Sequence, residues 1–314
     1  MKLQTKYLIN SQKRFLYNKS SLDPWFVTGL IDAEGCFMIA LSASSAYKQG
    51  YNITLKFSMS MHEKDKDLLI KLQNFFGVGT IIRHGLTTIQ YKVTSIKDMS
   101  VIITHCTKFP LITQKSIDFL LFKNAYVLII AKFHLTDIGF KKILSLRASL
   151  NLGLTDKLKL AFPNVVPATI PIIENCDIQN PTWFSGFTSG DGCFNIIVTK
   201  SPHTKTGYRV VLRFQITQHN RDILLLNSFI TYLECGRVES FSPSASNFVV
   251  TKFSDITNKI IPFFDKYAIH GIKSLDYISF KQIAMLMKEN HHLTEEGLEK
   301  IKQIKSNMNK SREL

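Results

Sequence analysis

Two carboxylates stand at matching places in this chain: Glu34 in GLIDAEG (Gly29–Gly35) and Asp191 in GFTSGDG (Gly186–Gly192). Each follows small residues spaced four apart, Gly29 with Ala33 and Gly186 with Gly190, so on a helix each pair lies on one face almost free of side chain. Glycine costs a helix interior roughly 0.5–1 kcal/mol relative to alanine, and such a face makes sense where another backbone approaches closely. The two segments are therefore expected to be helices packed on each other. Each acid falls at the helix C-terminal end, where negative charge opposes the macrodipole by about 0.3–1 kcal/mol. If the helices pair about a pseudo-two-fold axis, the acids meet at one point, and their repulsion calls for a divalent cation between them. Oxygen-only ligation favours Mg2+.

The elements that must position these acids are themselves duplicated. WFVTGLIDAEGCF from Trp25 returns as WFSGFTSGDGCF from Trp183, and Gly29 to Gly186 and Glu34 to Asp191 share an offset of 157. Phe57 meets Phe214, Gly79 meets Gly236 and Val93-Thr94 meets Val250-Thr251 at the same offset. It becomes 158 for Lys115 with Lys273, Phe122-Lys123 with Phe280-Lys281, and His134-Leu135-Thr136 with His292-Leu293-Thr294. Two homologous halves, about 20–151 and 178–310, are expected, joined by a linker at 152–177 that carries Pro163, Pro167 and Pro171. Asp23-Pro24 and Asn180-Pro181 read as helix starts. Alternation predicts strands over 36–41, 52–61, 80–83 and 89–94, with a helix over 64–75. Four strands plus helices per half is an α+β layout.

The balance of the chain agrees with an anionic partner. Its 314 residues hold 39 Lys+Arg against 24 Asp+Glu, a net charge of +15, while 45% are hydrophobic, so the positive charge sits on a folding chain. The five cysteines are scattered, with no C-x-x-C, which argues against a disulfide framework or a zinc module. The most apolar stretch, 119–133, is interrupted by Lys123 and Asn124 and falls short of a membrane span. No membrane partner and no secretory signal are expected.

With the duplicated motif in register over nearly the whole chain, about residues 23–309, the sequence resembles a single-chain LAGLIDADG homing endonuclease of the I-OnuI-like group from fungal mitochondrial introns. The resemblance implies a pseudo-two-fold pair of αββαββα subdomains, a saddle of two four-stranded antiparallel sheets with the motif helices at the interface. It implies a monomer, acting as a pseudo-dimer, that cuts both strands of a double-stranded DNA target with Mg2+ or Mn2+, Ca2+ binding without supporting cleavage. Carried over by position, the metal-binding acids are Glu34 and Asp191, with the carbonyls of Ala33 and Gly190 as further ligands. Lys115 and Lys273 fall at the family's basic position near the scissile phosphates, and Gln218 at its water-positioning glutamine. Met61 stands at the last of these positions in the first half, and a thioether positions water poorly, so the two strand cuts are expected to differ in rate. Asp32 has Ser189 as its counterpart and is read as non-catalytic. A mitochondrial location follows from the resemblance alone.

The strand period of two separates residues facing the helices from residues facing outward to DNA. The outward set in the first half is Cys36, Met38, Ala40, Ser42, Lys56, Ser58, Thr80, Ile82, His84, Gln90 and Lys92. In the second half it is Cys193, Asn195, Ile197, Thr199, Arg213, Gln215, Arg237, Glu239 and Asn247. Arginine suits guanine, Gln and Asn suit adenine, and apolar side chains suit thymine methyls, so the small, apolar first-half set predicts a thymine-rich half-site. Lys48, Lys200 and Lys205 in the hairpin loops are expected on phosphates. Strands of ~11 residues imply a footprint of roughly 20 bp. Cys36 and Cys193 are read as small groove-facing residues, Trp25, Trp183, Phe57 and Phe214 as anchors, and Thr136 and Thr294 as helix N-caps. The alternatives are a maturase that binds intron RNA and a non-cleaving DNA-binding protein of the same fold.

Overall fold

The computed structural model describes residues 22–173 and 176–309. The N-terminal stretch read for a signal, and the outermost residues of the expected halves (20, 21 and 310), lie outside the described residues.

The first repeat opens with helix α1 (Pro24–Glu34), followed by strands β1 (Gly35–Ala43) and β2 (Tyr51–His62), helix α2 (Lys66–Phe76), strands β3 (Thr80–Arg83) and β4 (Thr88–Val93), and helices α3 (Ile96–Lys108), α4 (Lys115–Ile130) and α5 (Asp137–Ser149). A short helix α6 (Asp156–Ala161) comes before the second repeat. That repeat runs through α7 (Pro181–Asp191), β5 (Gly192–Lys200), β6 (Tyr208–His219), α8 (Ile223–Leu233), β7 (Arg237–Ser242) and β8 (Ala245–Val250). After β8, α9 (253–266) has a π-helical centre at Ile256–Ile260, and α10 (Lys273–Lys288) and α11 (Glu295–Ser306) complete the order.

Each repeat forms one four-stranded antiparallel sheet, ordered β1-β2-β4-β3 and β5-β6-β8-β7. The registers repeat with the sequence: Gly35 lies opposite Met59 and Gly192 opposite Ile216, each pair shifted by the same 157. The turn into β3 and β7 explains two of the matched glycines. Gly79 and Gly236 have φ of 84° and 87°, and an added Cβ would strike the Tyr91 and Phe248 rings, at 2.7 and 2.6 Å, so a side chain fails there on both torsion and space.

Contacts divide the chain into two compact units. Of the described residues, one unit holds 22–24, 35–110 and 117–171; the other holds 25–34, 111–116 and 172 onward. Helix α1 and the loop that carries Lys115 thus belong to the second unit, although the sequence places them in the first repeat. In the first unit Phe37, Phe57, Tyr91 and Phe122 are fully buried between sheet and helices. The core of the second is a phenylalanine cluster, with Phe184, Phe187, Phe194, Phe214, Phe229, Phe248 and Phe264 all at 2% exposure or less. Part of the segment marked by prolines is folded onto the first unit: Leu154 and Leu158 join Phe140 and Leu144, and the Phe162 ring lies 5.3 Å from that of Tyr51.

The helix starts follow their side chains. Asn180 Oδ1 accepts from Thr182 N, Thr136 Oγ1 from Gly139 N and Thr294 Oγ1 from Gly297 N, each satisfying an orphan donor of the first turn. The repeat extends to Asn151 and Asn309, both at positive φ, whose side-chain amides donate to Phe37 O and Phe194 O. Among the described residues no helix is long and apolar enough to cross a membrane.

Candidate active site and nucleic-acid faces

The small-residue faces of α1 and α7 meet within the second unit. A Cβ added at Gly29 would overlap the Trp183 carbonyl and come within 2.7 Å of Phe187 N; one at Gly186 would overlap the Phe26 carbonyl. Backbone is on backbone, which is the contact that the Gly and Ala spacing requires. The same packing brings the ends of the two helices together, because a Cβ at Gly190 would meet Ala33 Cβ and lie 3.4 Å from Glu34 Oε1. The carboxyl of Glu34 therefore lies against the residue that precedes Asp191.

Asp191 is mostly withdrawn from water. Burial raises its pKa, while a hydrogen bond from Gln218 Nε2 to Oδ2 (2.6 Å) and the charges of Lys273 and Lys115 oppose the rise. Gln218, on β6, is thus held on the acid, with its other amide atom available to a further partner. Met61 at the matching place in the first unit is 8% exposed.

The two lysines close the helix ends. Lys115 Nζ donates to Ala33 O (2.8 Å) and Ile31 O (3.2 Å), and Lys273 Nζ donates to Gly190 O. An ammonium at the last-turn carbonyls supplies the positive charge that the acids' position at the negative dipole end demands. Each lysine opens a helix whose start is pinned. Thr113 Oγ1 accepts from Lys115 N, Asp222 Oδ1 accepts from Gln114 N (2.8 Å), and on the other side Ser189 Oγ accepts from His270 N.

Asp32 anchors the first of these loops. Its carboxyl accepts from Ile112 N, Thr113 N, Thr113 Oγ1 and Trp183 Nε1, the last at 2.8 Å, and it is 3% exposed. Burial lifts its pKa to about 6, and the hydrogen bonds from the Thr113 hydroxyl, the Trp183 indole and Ile112 N, together with the charge of Lys115, limit the rise. Asp32 faces the loop rather than Glu34 and Asp191, so its work is positioning. Asp222 was missed by sequence reasoning. Its identity with Asp65 at the repeat offset of 157 was the available signal, since a buried acid retained in both halves points to a fixed partner.

The pair of acids fits a divalent cation. Two oxygen-donor carboxylates end the paired helices, Glu34 lying against Gly190 and Asp191 following it in the chain, with the carbonyls of Ala33 and Gly190 beside them. Among the described residues no group of three or more His, Cys, Asp or Glu converges, so a cation here would complete its shell with water and substrate phosphate, as Mg2+ does. The carbonyls of Ala33 and Gly190 already serve the lysines, which leaves the carboxylates as the principal donors.

The sheet faces divide as the alternation requires, with three exceptions in accessibility. In the first unit Met38, Ser42, Thr80 and His84 are exposed and Cys36, Ala40, Lys56, Ile82 and Lys92 half-buried on the face away from the core. In the second, Thr199 and Arg237 are exposed and Cys193, Asn195, Ile197, Arg213, Gln215 and Glu239 half-buried, while Lys200, expected in a hairpin loop, is the exposed last residue of β5 because that strand runs one residue farther than the loop reading allowed. Ser58 and Gln90 are on the outward face yet only 4% and 5% exposed, and Asn247 is 2% exposed. Same-face neighbours hold two of them: Gln90 Nε2 donates to Ser60 Oγ (2.8 Å), and Asn247 Oδ1 accepts from Thr217 Oγ1 (2.6 Å). Period-two reading assigns the face but not the cover. Lys48 and Lys205 stand out in the hairpin loops, Lys48 at 3.9 Å from Asp137 in an exposed pair.

The LAGLIDADG endonuclease family profile matches residues 27–126 and 184–284, one copy per repeat. The chain is 40% identical over 306 residues to probable intron-encoded endonuclease 3 of Neurospora crassa, covering 96% of this chain and 57% of that protein. It is 39% identical over 303 residues to probable intron-encoded endonuclease 2 of the same fungus, covering 92% and 66%. The chain thus spans between half and two thirds of the length of these relatives. Among solved structures, the I-SmaMI LAGLIDADG homing endonuclease bound to cleaved DNA matches at a TM-score of 0.92 and 45% identity, over 93% of this chain and 99% of that one. The same protein bound to uncleaved target with calcium ions matches at 0.91 and 45%, over 92% and 100%. With the duplicated motif helices, the paired acids at their ends and two sheets of identical order, this chain belongs to the LAGLIDADG endonuclease family.

Proposed function

We propose that this chain is a site-specific homing endonuclease that hydrolyses one phosphodiester in each strand of a double-stranded DNA target of roughly 20 bp, reading bases with the outward faces of its two sheets. The observation that carries the reading is the meeting of α1 and α7 at Gly29 and Gly186, which delivers Glu34 beside Gly190 and Asp191. Glu34 and Asp191 would hold Mg2+ or Mn2+, which when bound would polarise a scissile phosphate and acidify a nearby water. Gln218, fixed on Asp191, turns its remaining amide atom to orient an attacking water in one strand. Lys115 and Lys273 hold positive charge at the two helix ends, placed to offset the charge that grows on a pentacovalent phosphorus. The net charge of +15 favours the polyanion and makes binding salt-dependent. Relatives named for introns support an organelle intron as the source, the mitochondrion being the compartment we propose, with the protein acting as a monomer.

The test is cleavage of a randomised ~20 bp duplex library by the wild type, Glu34→Gln and Asp191→Asn, with Mg2+ or with EDTA, and sequencing of the cut ends. The wild type should return one long consensus cut in both strands with Mg2+ alone, and both variants should bind that sequence without cutting it. Undiminished cutting by either variant, or binding to structured RNA in preference to any duplex, would overturn the proposal.

A further inference from the structure

On the outward face of the second unit's sheet, one carboxylate gathers two arginines. Arg213 Nη2 donates to Glu239 Oε1 (2.5 Å) and Arg237 Nη2 donates to Glu239 Oε2 (3.0 Å), so both oxygens of Glu239 are engaged by different strands. Arg213 Nε donates to Gln215 Oε1 (2.5 Å), and Arg237 Nη1 to Thr251 Oγ1 (3.3 Å). The cluster crosses three strands, β6 and β7 with β8 between them.

Stability does not account for it. Arg213 and Glu239 retain 21% and 31% side-chain exposure and Arg237 55%, and ion pairs that water reaches this far contribute little to stability. The first repeat makes the same sheet with Lys56, Thr80 and Ile82 at the three matching positions, so the fold does not need the cluster. Its parts do suit one ligand. A guanidinium has five N–H donors. Arg213 and Arg237 each use two in the bonds above, leaving three apiece for a planar acceptor edge. Guanine shows two acceptors, O6 and N7, in the major groove, and arginine meets them bidentately. Two guanidiniums tied to the two oxygens of one carboxylate are held close together, on the scale of the 3.4 Å step between base pairs.

Resting on the DNA-cleavage reading above, we infer that Glu239 is a positioning residue that presents Arg213 and Arg237 as a paired reader of two consecutive G·C base pairs in the half-site facing the second sheet. Held this way, the long side chains have little rotamer freedom left to lose on binding, and their planes are aimed before contact. Glu239 also sets what the pair rejects. With its carboxylate holding both guanidiniums in place, a base edge that offers a donor, such as adenine N6 or cytosine N4, faces N–H groups that it cannot satisfy. The first sheet, lacking all three groups, contributes no such preference, and the two half-sites differ accordingly.

The experiment is equilibrium binding, with Ca2+ in place of Mg2+, of the wild type and Glu239→Gln to every single-base-pair variant of the selected target. The wild type should discriminate for G·C at two adjacent positions by roughly tenfold to a hundredfold each. Glu239→Gln should reduce that to a few-fold at those two positions and leave the remaining profile in place. A second variant, Arg213→Lys with Arg237→Thr and Glu239→Ile, imports the residues with which the first repeat folds; it should lose both G·C preferences. A wild type without adjacent G·C preferences, or a Glu239→Gln profile that is unchanged or uniformly weakened at all positions, overturns the inference. Failure of the wild type to bind any duplex sequence overturns the endonuclease reading and this inference together.

Discussion

The indole N–H of Trp183 on α7 donates to Asp32 Oδ2 on α1 at 2.8 Å, and the same carboxyl holds the loop from which Lys115 emerges. One buried acid therefore ties three things: the pairing of the motif helices, the start of α4 and the ammonium at Ala33 O.

Replacing Asp32 with Asn keeps the volume and removes an acceptor oxygen from a group surrounded by four donors. At least one buried donor then faces an amide N–H, at a cost of about 1–3 kcal/mol per unpaired group. Asp32→Asn should lower the melting temperature by several degrees and slow cleavage at saturating DNA more than it weakens binding, because Lys115 loses its mooring. An unchanged melting temperature would show that the network is not required.

Gly29→Ala and Gly186→Ala place a methyl where a backbone carbonyl already sits. Relief requires the helices to separate, and overpacking of this kind costs about 3 kcal/mol or more. Both variants should unfold at markedly lower urea concentration than the wild type, while Gly207→Ala, in a hairpin loop with open space around it and a φ of 70°, should cost only the roughly 1–2 kcal/mol of a left-handed alanine. The comparison is made on urea midpoints by far-ultraviolet circular dichroism.

Gln218→Ala removes the hydrogen bond to Asp191 and the amide proposed to orient water. Since Met61 occupies the matching position in the first repeat, the proposed function has the loss fall on one strand, so that the variant nicks the duplex where the wild type cuts both strands. End-labelled duplexes report each strand separately; equal slowing of both cuts would contradict the assignment.

His105 is fully buried among Phe75, Phe76 and Phe109, and burial pushes its pKa down to about 3. The folded chain keeps it neutral while the unfolded chain protonates it below about 6.5. Between those values the unfolded state binds more protons, so stability falls with falling pH, at about 1.4 kcal/mol per pH unit from this residue. His105→Phe removes that dependence. Denaturant titrations at pH 7 and pH 5 should show a smaller loss of stability on acidification for the variant than for the wild type, and equal losses would refute the buried neutral state.

Much of the layout could be read without coordinates, because it is periodic or duplicated. The offset of 157 placed two sheets of the same order, the Gly and Ala spacing marked the faces on which α1 and α7 pack, and alternation along β5 and β6 sorted core from outward residues. Those are local or repeated signals, and the physics that produces them, strand pleat and helix turn, acts over a few residues. Tertiary structure decided the rest. It moved α1 and residues 111–116 into the same unit as the second repeat, folded α6 of the linker segment onto the first, and buried Ser58, Gln90 and Asn247 on the outward faces. It gave Asp32 and Asp222 their partners 80 or more residues away and gathered Arg213 and Arg237 around Glu239. Contacts of that separation are chosen by the packing of whole elements and by which charged groups have their hydrogen bonds satisfied, and neither is written in the spacing of residues along the chain.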